Sequence, residues 1–500
     1  MQNTYSAGFL QNKIAFVVYM MKTSGIEIGL SYNDVLLVPR RSAIASRGAI
    51  STESRLMRGI TIKIPIITAN MDTVTESGMA IAIAREGGLG VIHRFMDIER
   101  EASEVARVKR AEAYMIDKPY SISATSSIGD AREMMSMHGV SGLLVVDKSN
   151  RLMGIISDRD IRFAEDEKAA ASTAMTKRSR LIVGKPGISI AEAVRTLDSH
   201  RLEKLPIVDS SNKVVGLITS KDIYKHTKSS ISAKDSKGRL LVGAAIGIKG
   251  DYIERATALC DAGADLLVLD VAHGHTDSVI SAIKAVKREI GGVKLIAGNV
   301  ATAEGVDDLA AAGADCVKVG IGPGAACTTR RVTGAGMPQF TAIVNCYDAA
   351  VRKGISIIAD GGIKDSGDIT KSLAAGASAV MAGSLFAGTE ESPGYFVSRR
   401  GVKYKAYRGM ASLGANISRK KLDKMDIDPE EITQIVPEGV ESSVPYRGTV
   451  KEVVSQLVGG IRSGMSYCGA SNLDQLRKNA KFIRLTESSQ KESYEKLEQY

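Results

Sequence analysis

The chain has 500 residues, of which 44% are hydrophobic and 24% charged. That is globular usage, which excludes an intrinsically disordered chain, and the length points to one large domain with a smaller one, or to three modest ones. Lysine and arginine outnumber aspartate and glutamate by 66 to 56, a net charge of +10, but they are scattered rather than gathered into a strip that would track a nucleic-acid backbone, and they suit anionic small molecules better.

At the N-terminus, the run IAFVVYMM is too short to span a bilayer. It also lacks the basic start and small-residue cleavage site of a secretory signal. Residues 1–27 are read as an accessory extension of a chain without a membrane segment, working in the cytoplasm. The five cysteines, Cys260, Cys316, Cys327, Cys346 and Cys468, agree with a reducing compartment: they form no CxxC pair and have no metal-ligand spacing.

Residues 28–114 open a pattern of short apolar strands and alanine-rich helices that resumes at 231 and runs to 500. Between them, over 115–230, lies an internal repeat. GVSGLLVVDKSNRLMGIISDRDIRF from Gly139 and RLEKLPIVDSSNKVVGLITSKDIYK from Arg201 align without a gap. Each copy reads as strand, polar turn, strand and helix, with a further helix upstream, so two copies make one small α/β domain. Ser157 with Asp160 and Thr219 with Asp222 read first as helix caps and second as ribose-binding aspartates.

The flanking strands LLVLDVA, KLIAGNVA, CVKVGIG, SIIADGG and AVMAGSL have no polar alternation, so both of their faces are buried in a parallel sheet. A (β/α)8 barrel is expected, with an open doubly wound sheet as the competitor. In a barrel, chemistry gathers at the C-terminal ends of the strands. The polar stretch over about 411–445 is long for a connection inside a compact domain and reads as a mobile flap.

Those strand ends are where the unusual residues lie. ADGG and AGS offer backbone N–H groups to an anion, or simply turn the chain. Asp360 suits a ribose diol, or caps a helix. Cys327, in GIGPGAACTTR, follows three glycines and a proline and reads as a nucleophile, whereas Cys260 and Cys316 read as inert core residues. Thr329 stands two residues on, placed to hydrogen-bond a group at the carbon the sulfur holds. Asp270 and Asn299 end neighbouring strands and are expected to face the same mouth. His273 and His275 match no familiar zinc spacing.

Taken together, SYNDVLLVPRRS, ANMDTVTES, GNVAT, GIGPGAACTTR, TGAGMPQ, ADGGI, AGSLFAGTEESPG and YRGMASLGA resemble the IMP dehydrogenase and GMP reductase family. The likeness runs over nearly the whole chain from about residue 28, and the repeat resembles a tandem pair of CBS modules. The resemblance implies a TIM barrel with an inserted tandem CBS domain that binds adenine or guanine nucleotides. It also implies a substrate, a purine nucleoside monophosphate, attacked at C2 by Cys327 to give a covalent thioimidate. Asp360 would hold its ribose and Gly362, Gly383, Ser384 and Tyr407 its phosphate, with Met410 among the substrate-binding residues. Asp270 and Asn299 fall to the nicotinamide cofactor. The main-chain carbonyls of Gly322, Gly324 and Cys327 match the family's monovalent-cation loop, with potassium the expected ion, and Glu492 with Ser493 its C-terminal part. A homotetramer or octamer is the implied assembly.

The family's two activities share the covalent intermediate. Dehydrogenases carry an Arg-Tyr pair in the flap as the base that activates water. Here VPEG, with Glu438, is present, but ISRKKLDKMDIDPEE upstream contains no tyrosine. Asn70 in ANMDTV and Val271 in LDVA lean the same way, toward a GMP reductase using NADPH, with Cys327, Thr329 and Glu438 as catalytic residues. The CBS pair, HGHT and the long flap lean toward an IMP dehydrogenase using NAD. A nucleotide sensor that has lost catalysis is the alternative of another class.

Overall fold

The computed structural model describes residues 26–112, 115 and 116, 119–221, 223, 231–415 and 436–494. Residues 1–25 of the expected extension, most of the expected flap (416–435) and Asp222 therefore lie outside the described residues.

Eight parallel strands close into a barrel. In chain order they are β1 (Ile66–Thr68), β2 (Leu89–Ile92), β3 (Val242–Ile246), β4 (Leu266–Asp270), β5 (Leu295–Val300), β6 (Cys316–Val319), β7 (Ser356–Asp360) and β8 (Ala379–Ala382). Each leads into a helix of the outer ring: α1 (Ser77–Arg85), α2 (Ile98–Ala111), α3 (Tyr252–Asp261), α4 (Asp277–Glu289), α5 (Ala303–Ala312), α6 (Gln339–Lys353), α7 (Ser366–Ala374) and α8 (Val450–Tyr467). The barrel, not the open sheet, is the architecture. Sequence-local caps start these helices: Asp97, Thr276, Thr302 and Asp365 each accept a hydrogen bond from a backbone N–H in the first turn, and Thr449 and Glu452 form a reciprocal capping box.

The apolar runs divide by the two-residue period of a strand. Leu267 and Leu269 face the helices, while Leu266 and Val268 join Ile67, Ile296, Ile358 and Met381 inside the barrel. A hairpin, Ser54–Met57 with Ile60–Ile62, closes the N-terminal end. Its Leu56, Met57, Ile60 and Ile62 belong to the interior cluster, and it is tied down by hydrogen bonds from Ser54 Oγ to Ser378 O and from Ser356 Oγ to Leu56 O (2.6 Å). With that end filled by side chains, open space remains at the other.

The repeat lies between α2 and β3. Strands Gly142–Val146 and Leu152–Ser157 pair antiparallel, as do Lys204–Val208 and Val214–Thr219. Helices Ile128–His138 and Ile190–Ser199 precede them. The two turns match bond for bond. Asp147 Oδ1 accepts from the N–H groups of Ser149 and Arg151 at 2.8 and 2.9 Å, and Asp209 Oδ1 from those of Ser211 and Lys213 at the same distances. Asn150 and Asn212 both adopt the left-handed conformation these turns require, and each side-chain amide donates to a carbonyl of the other copy, that of Val214 or Leu152. Ser157 and Asp160 form a capping box, the first of the two roles considered for them.

A three-stranded antiparallel sheet, Phe396–Arg399, Val402–Arg408 and Glu441–Pro445, stands between β8 and α8. The far end of the expected flap is thus a paired strand. No described helix is long and apolar enough to cross a membrane.

Candidate active site

A cavity of about 360 Å³ opens at the C-terminal ends of the barrel strands, within the usual range for small-molecule sites. Of the residues singled out from the sequence, Cys327, Thr329, Glu438, Asp360, Tyr407, Met410, Asp270, Asn299, Gly322 and Gly324 line it. Gly362, Gly383 and Ser384 do not. Gly362 packs beside Pro323, and a Cβ on Gly383 would stand 3.2 Å from the Tyr407 hydroxyl; both are half-buried. Ser384 opens a single short turn of helix, Ser384–Ala387.

The reactive corner is built by backbone pairing. Residues 326–328, which follow the glycine loop after β6, lie against 438–440: Cys327 bridges Gly439, Thr328 N donates to Glu438 O (2.8 Å) and Val440 N to Ala326 O (3.0 Å). A third layer, 409–412, covers these, with Gly409 N donating to Val440 O (3.0 Å) and Glu438 N to Ala411 O (3.1 Å). Such close stacking needs glycine at two places: a Cβ on Gly409 would meet Ala326 O at 2.7 Å, and one on Gly439 would meet Ser412 N at 2.9 Å. The base of this layer is held by Arg408, whose guanidinium grips the Asp72 carboxylate, Nε to Oδ2 at 2.8 Å.

That register sets three side chains in line. The Cys327 thiol donates to Thr329 Oγ1 (3.1 Å), and the Thr329 hydroxyl donates to Glu438 Oε2 (2.7 Å). A proton can pass along this line from sulfur to carboxylate and back. The other four cysteines offer no such chemistry, because burial pushes each thiol upward, that of Cys346 to about 12.

Opposite the thiol, Asp360 ends β7 and is followed by Gly361 and Gly362 at φ +90° and +76°, a left-handed turn that glycine adopts freely, with Gly361 N donating to Met381 O (3.5 Å). Tyr407 is buried, and burial, followed by the nearby Asp360 and Cys327, pushes its phenol up to about 12, so it is a neutral donor. Asp270 and Asn299 complete the wall. Asn299 Nδ2 donates to Asp360 Oδ2 (2.9 Å) and to Gly320 O (2.9 Å), while its Oδ1 is buried without a protein partner, an acceptor left for a ligand donor.

Lys318, missed in the sequence, lies at the floor of this site. It is the inward residue at the end of β6 and pairs with both Asp270 and Asp360. A lone lysine in CVKV, between positions of a strand buried on both faces, was the available signal. His273 and His275 make no metal centre: His275 Nε2 lies 2.8 Å from Asp308 Oδ2, and no group of three metal-ligating side chains forms among the described residues. Glu492 is exposed on the last helix, Glu487–Tyr494.

A family model described as the IMP dehydrogenase / GMP reductase domain matches residues 29–495. The chain belongs to the IMP dehydrogenase and GMP reductase family. It is an oxidoreductase of that family, which uses nicotinamide cofactors. It is 51% identical over 466 residues to an inosine-5'-monophosphate dehydrogenase of Nitrosopumilus maritimus, covering 93% of this chain and 97% of the relative. It is also 45% identical over 474 residues to a GMP reductase of Leishmania donovani, covering 93% and 96%. A solved GMP reductase variant of Trypanosoma brucei, in complex with guanosine 5'-monophosphate, superposes with a TM-score of 0.86 at 42% identity, covering 94% of this chain and 98% of that one.

Proposed function

We propose that this family member is a GMP reductase, converting GMP and NADPH to IMP, ammonia and NADP+. The observation that carries this reading is the line Cys327–Thr329–Glu438 in a chain whose flap sequence has no tyrosine upstream of VPEG. The sulfur adds to C2 of the guanine ring as its proton passes through Thr329 to Glu438. The same route returns a proton to the 2-amino group, the C2–N bond breaks, and ammonia leaves, taking a second proton from solvent. The purine is then held as a thioimidate on Cys327. The cofactor, when bound, supplies hydride to C2, and the C2–S bond breaks to release IMP and the thiolate. Asp360 accepts from the ribose hydroxyls, Gly362, Gly383, Ser384 and Tyr407 hold the phosphate, and Met410 covers the base.

The orphaned Asn299 Oδ1 and the Asp270 carboxylate suit a dinucleotide on the adjoining wall. Neutral carbonyl donors on the loop of Gly322, Gly324 and Cys327 suit a monovalent cation such as potassium rather than a divalent one. The paired units over 115–230 are assigned as CBS modules taking an adenine or guanine nucleotide, and the assembly as a cytoplasmic homotetramer or octamer.

The second reading, IMP dehydrogenase with NAD, is favoured by the 51% identity to a protein of that name. Purified protein is incubated with GMP and NADPH, and separately with IMP and NAD+, while cofactor absorbance is followed. A fall in the first mixture supports the reductase, a rise in the second the dehydrogenase, and silence in both a nucleotide sensor. Cys327→Ala abolishes turnover in either direction; retained turnover removes the covalent mechanism.

A further inference from the structure

One charged group at the floor of the site takes no part in that scheme. Lys318 is 1% exposed, in the last inward layer of the barrel above purely apolar ones. Its ammonium donates to Asp270 Oδ1 at 2.5 Å and to Asp360 Oδ2 at 2.8 Å. Beyond these carboxylates, Asn70 Nδ2 donates to Asp270 Oδ2 (2.9 Å) and Asn299 Nδ2 to Asp360 Oδ2 (2.9 Å). The five side chains form one hydrogen-bonded line across the mouth of the barrel. Room for the lysine is made by β5, where a Cβ on Gly298 would stand 2.6 Å from Lys318 Cβ. Burying the ammonium and drawing two half-buried carboxylates onto it costs several kcal/mol before their attraction is counted, and apolar side chains fill such a layer at least as stably. The barrel does not need this line to close; the ligands do.

The two carboxylates serve different parts of the cavity. Tyr407 stands near both Asp360 and Cys327, and Asp270 neighbours Arg94. We propose that Lys318 is a positioning residue that couples the nucleotide and dinucleotide subsites, holding Asp360 and Asp270 through one shared ammonium so that a ligand on either carboxylate fixes the other. A ribose bound at Asp360 immobilises the ammonium, and the second ligand meets an Asp270 already held in place, which makes the coupling positive. The inference rests on the proposed assignment of Asp360 to the nucleotide and Asp270 to the cofactor.

The test is equilibrium binding of GMP and NADP+ to the full chain carrying Cys327→Ala, in which no adduct can form. In this parent, saturating GMP tightens NADP+ by about fivefold or more, and saturating NADP+ tightens GMP by the same factor, as linkage requires. In Lys318→Met the factor falls to about one, in Asp270→Asn likewise, and the double variant loses no more than either single. A Lys318→Met protein that melts like the wild type and keeps the factor overturns the proposal, as does a uniform loss of affinity that leaves the factor intact. Should Lys318→Met fail to fold, Asp270→Asn alone decides, and an undiminished factor there is equally fatal. Turnover of the wild type tests the reaction separately; if IMP proves to be the substrate oxidised, the same cycle is run with IMP and NADH.

Discussion

Replacing Glu438 by glutamine tests the relay with least disturbance to the fold. The backbone N–H and carbonyl of residue 438 carry the pairing with Ala411 and Thr328, and the amide is nearly isosteric, so the three layers stay in register. What is lost is a group able to take a proton through the 2.7 Å bond from Thr329. Glutamine still accepts that bond through oxygen, so ground-state contacts survive and the transfer alone is cut. General acid–base catalysis contributes about 10²- to 10⁴-fold, or about 3–5 kcal/mol of barrier. Steady-state and single-turnover rates of cofactor consumption should therefore fall by that factor, while the affinity for GMP, measured by equilibrium titration, stays within about twofold of the wild type. Thr329→Ala should lose as much, and the double variant should lose little more, because the two residues act as one unit. A Glu438→Gln enzyme within about threefold of the wild-type rate would refute the relay, since that loss is smaller than any positioned acid or base supplies.

Gly409→Ala should drive the Cys327 loop away from residues 438–440, because its new Cβ meets Ala326 O at 2.7 Å. A misplacement near 1 Å costs about 100-fold in kcat, with the melting temperature little changed, and an unaffected kcat argues against the stacked layers. Desolvation of the half-buried Asp270 raises its carboxyl, but the Lys318 ammonium and Asn70 outweigh it and hold the group below its ordinary value of 3.8. A depressed carboxylate contributes fully above its unfolded value and is lost only as pH falls through the folded one, so wild-type ligand affinity should be flat from about pH 5 to 8. In Lys318→Met burial dominates, and affinity should instead weaken as pH falls within that window; a flat titration would contradict the assigned role. Lys405, 2% exposed, donates to the carbonyls of Thr389, Glu390 and Ser392 at 3.0, 3.2 and 2.5 Å. Lys405→Met strands those acceptors at a cost of at least about 3 kcal/mol, read as a lower midpoint of urea denaturation, and an unshifted midpoint would count against it.

The barrel was legible because its strands are apolar in their middles and end on, or just before, a polar residue or a glycine: Leu266–Asp270, Ser356–Asp360, and Ala379–Ala382 before Gly383. Their endings also pointed to Asp270 and Asp360, the last inward positions of their strands, and to Asn299, which reaches the mouth where the register of its strand shifts between Gly298 and Val300. Lys318 escaped notice because a single lysine inside CVKV does not stop the strand from reading as a strand, and its meaning lies in two carboxylates 48 and 42 residues away. The sheet of 396–445 was hidden for another reason. Val402–Arg408 is mixed in character and Glu441–Pro445 is short and half-exposed, so the strand pattern emerges only from their pairing. Gly362, Gly383 and Ser384 carry the motif and are half-buried, but they do not line the cavity that Tyr407 does.

The stretches that flank 416–435 are pinned side by side, since Ala411 and Glu438 share a hydrogen bond and Arg408 is clamped to Asp72. Closing a connection between points fixed in this way costs only about 0.6 kcal/mol more for each doubling of its length. The sulfur and its acid partner are therefore held from outside that connection, and a change of length within it need not move either.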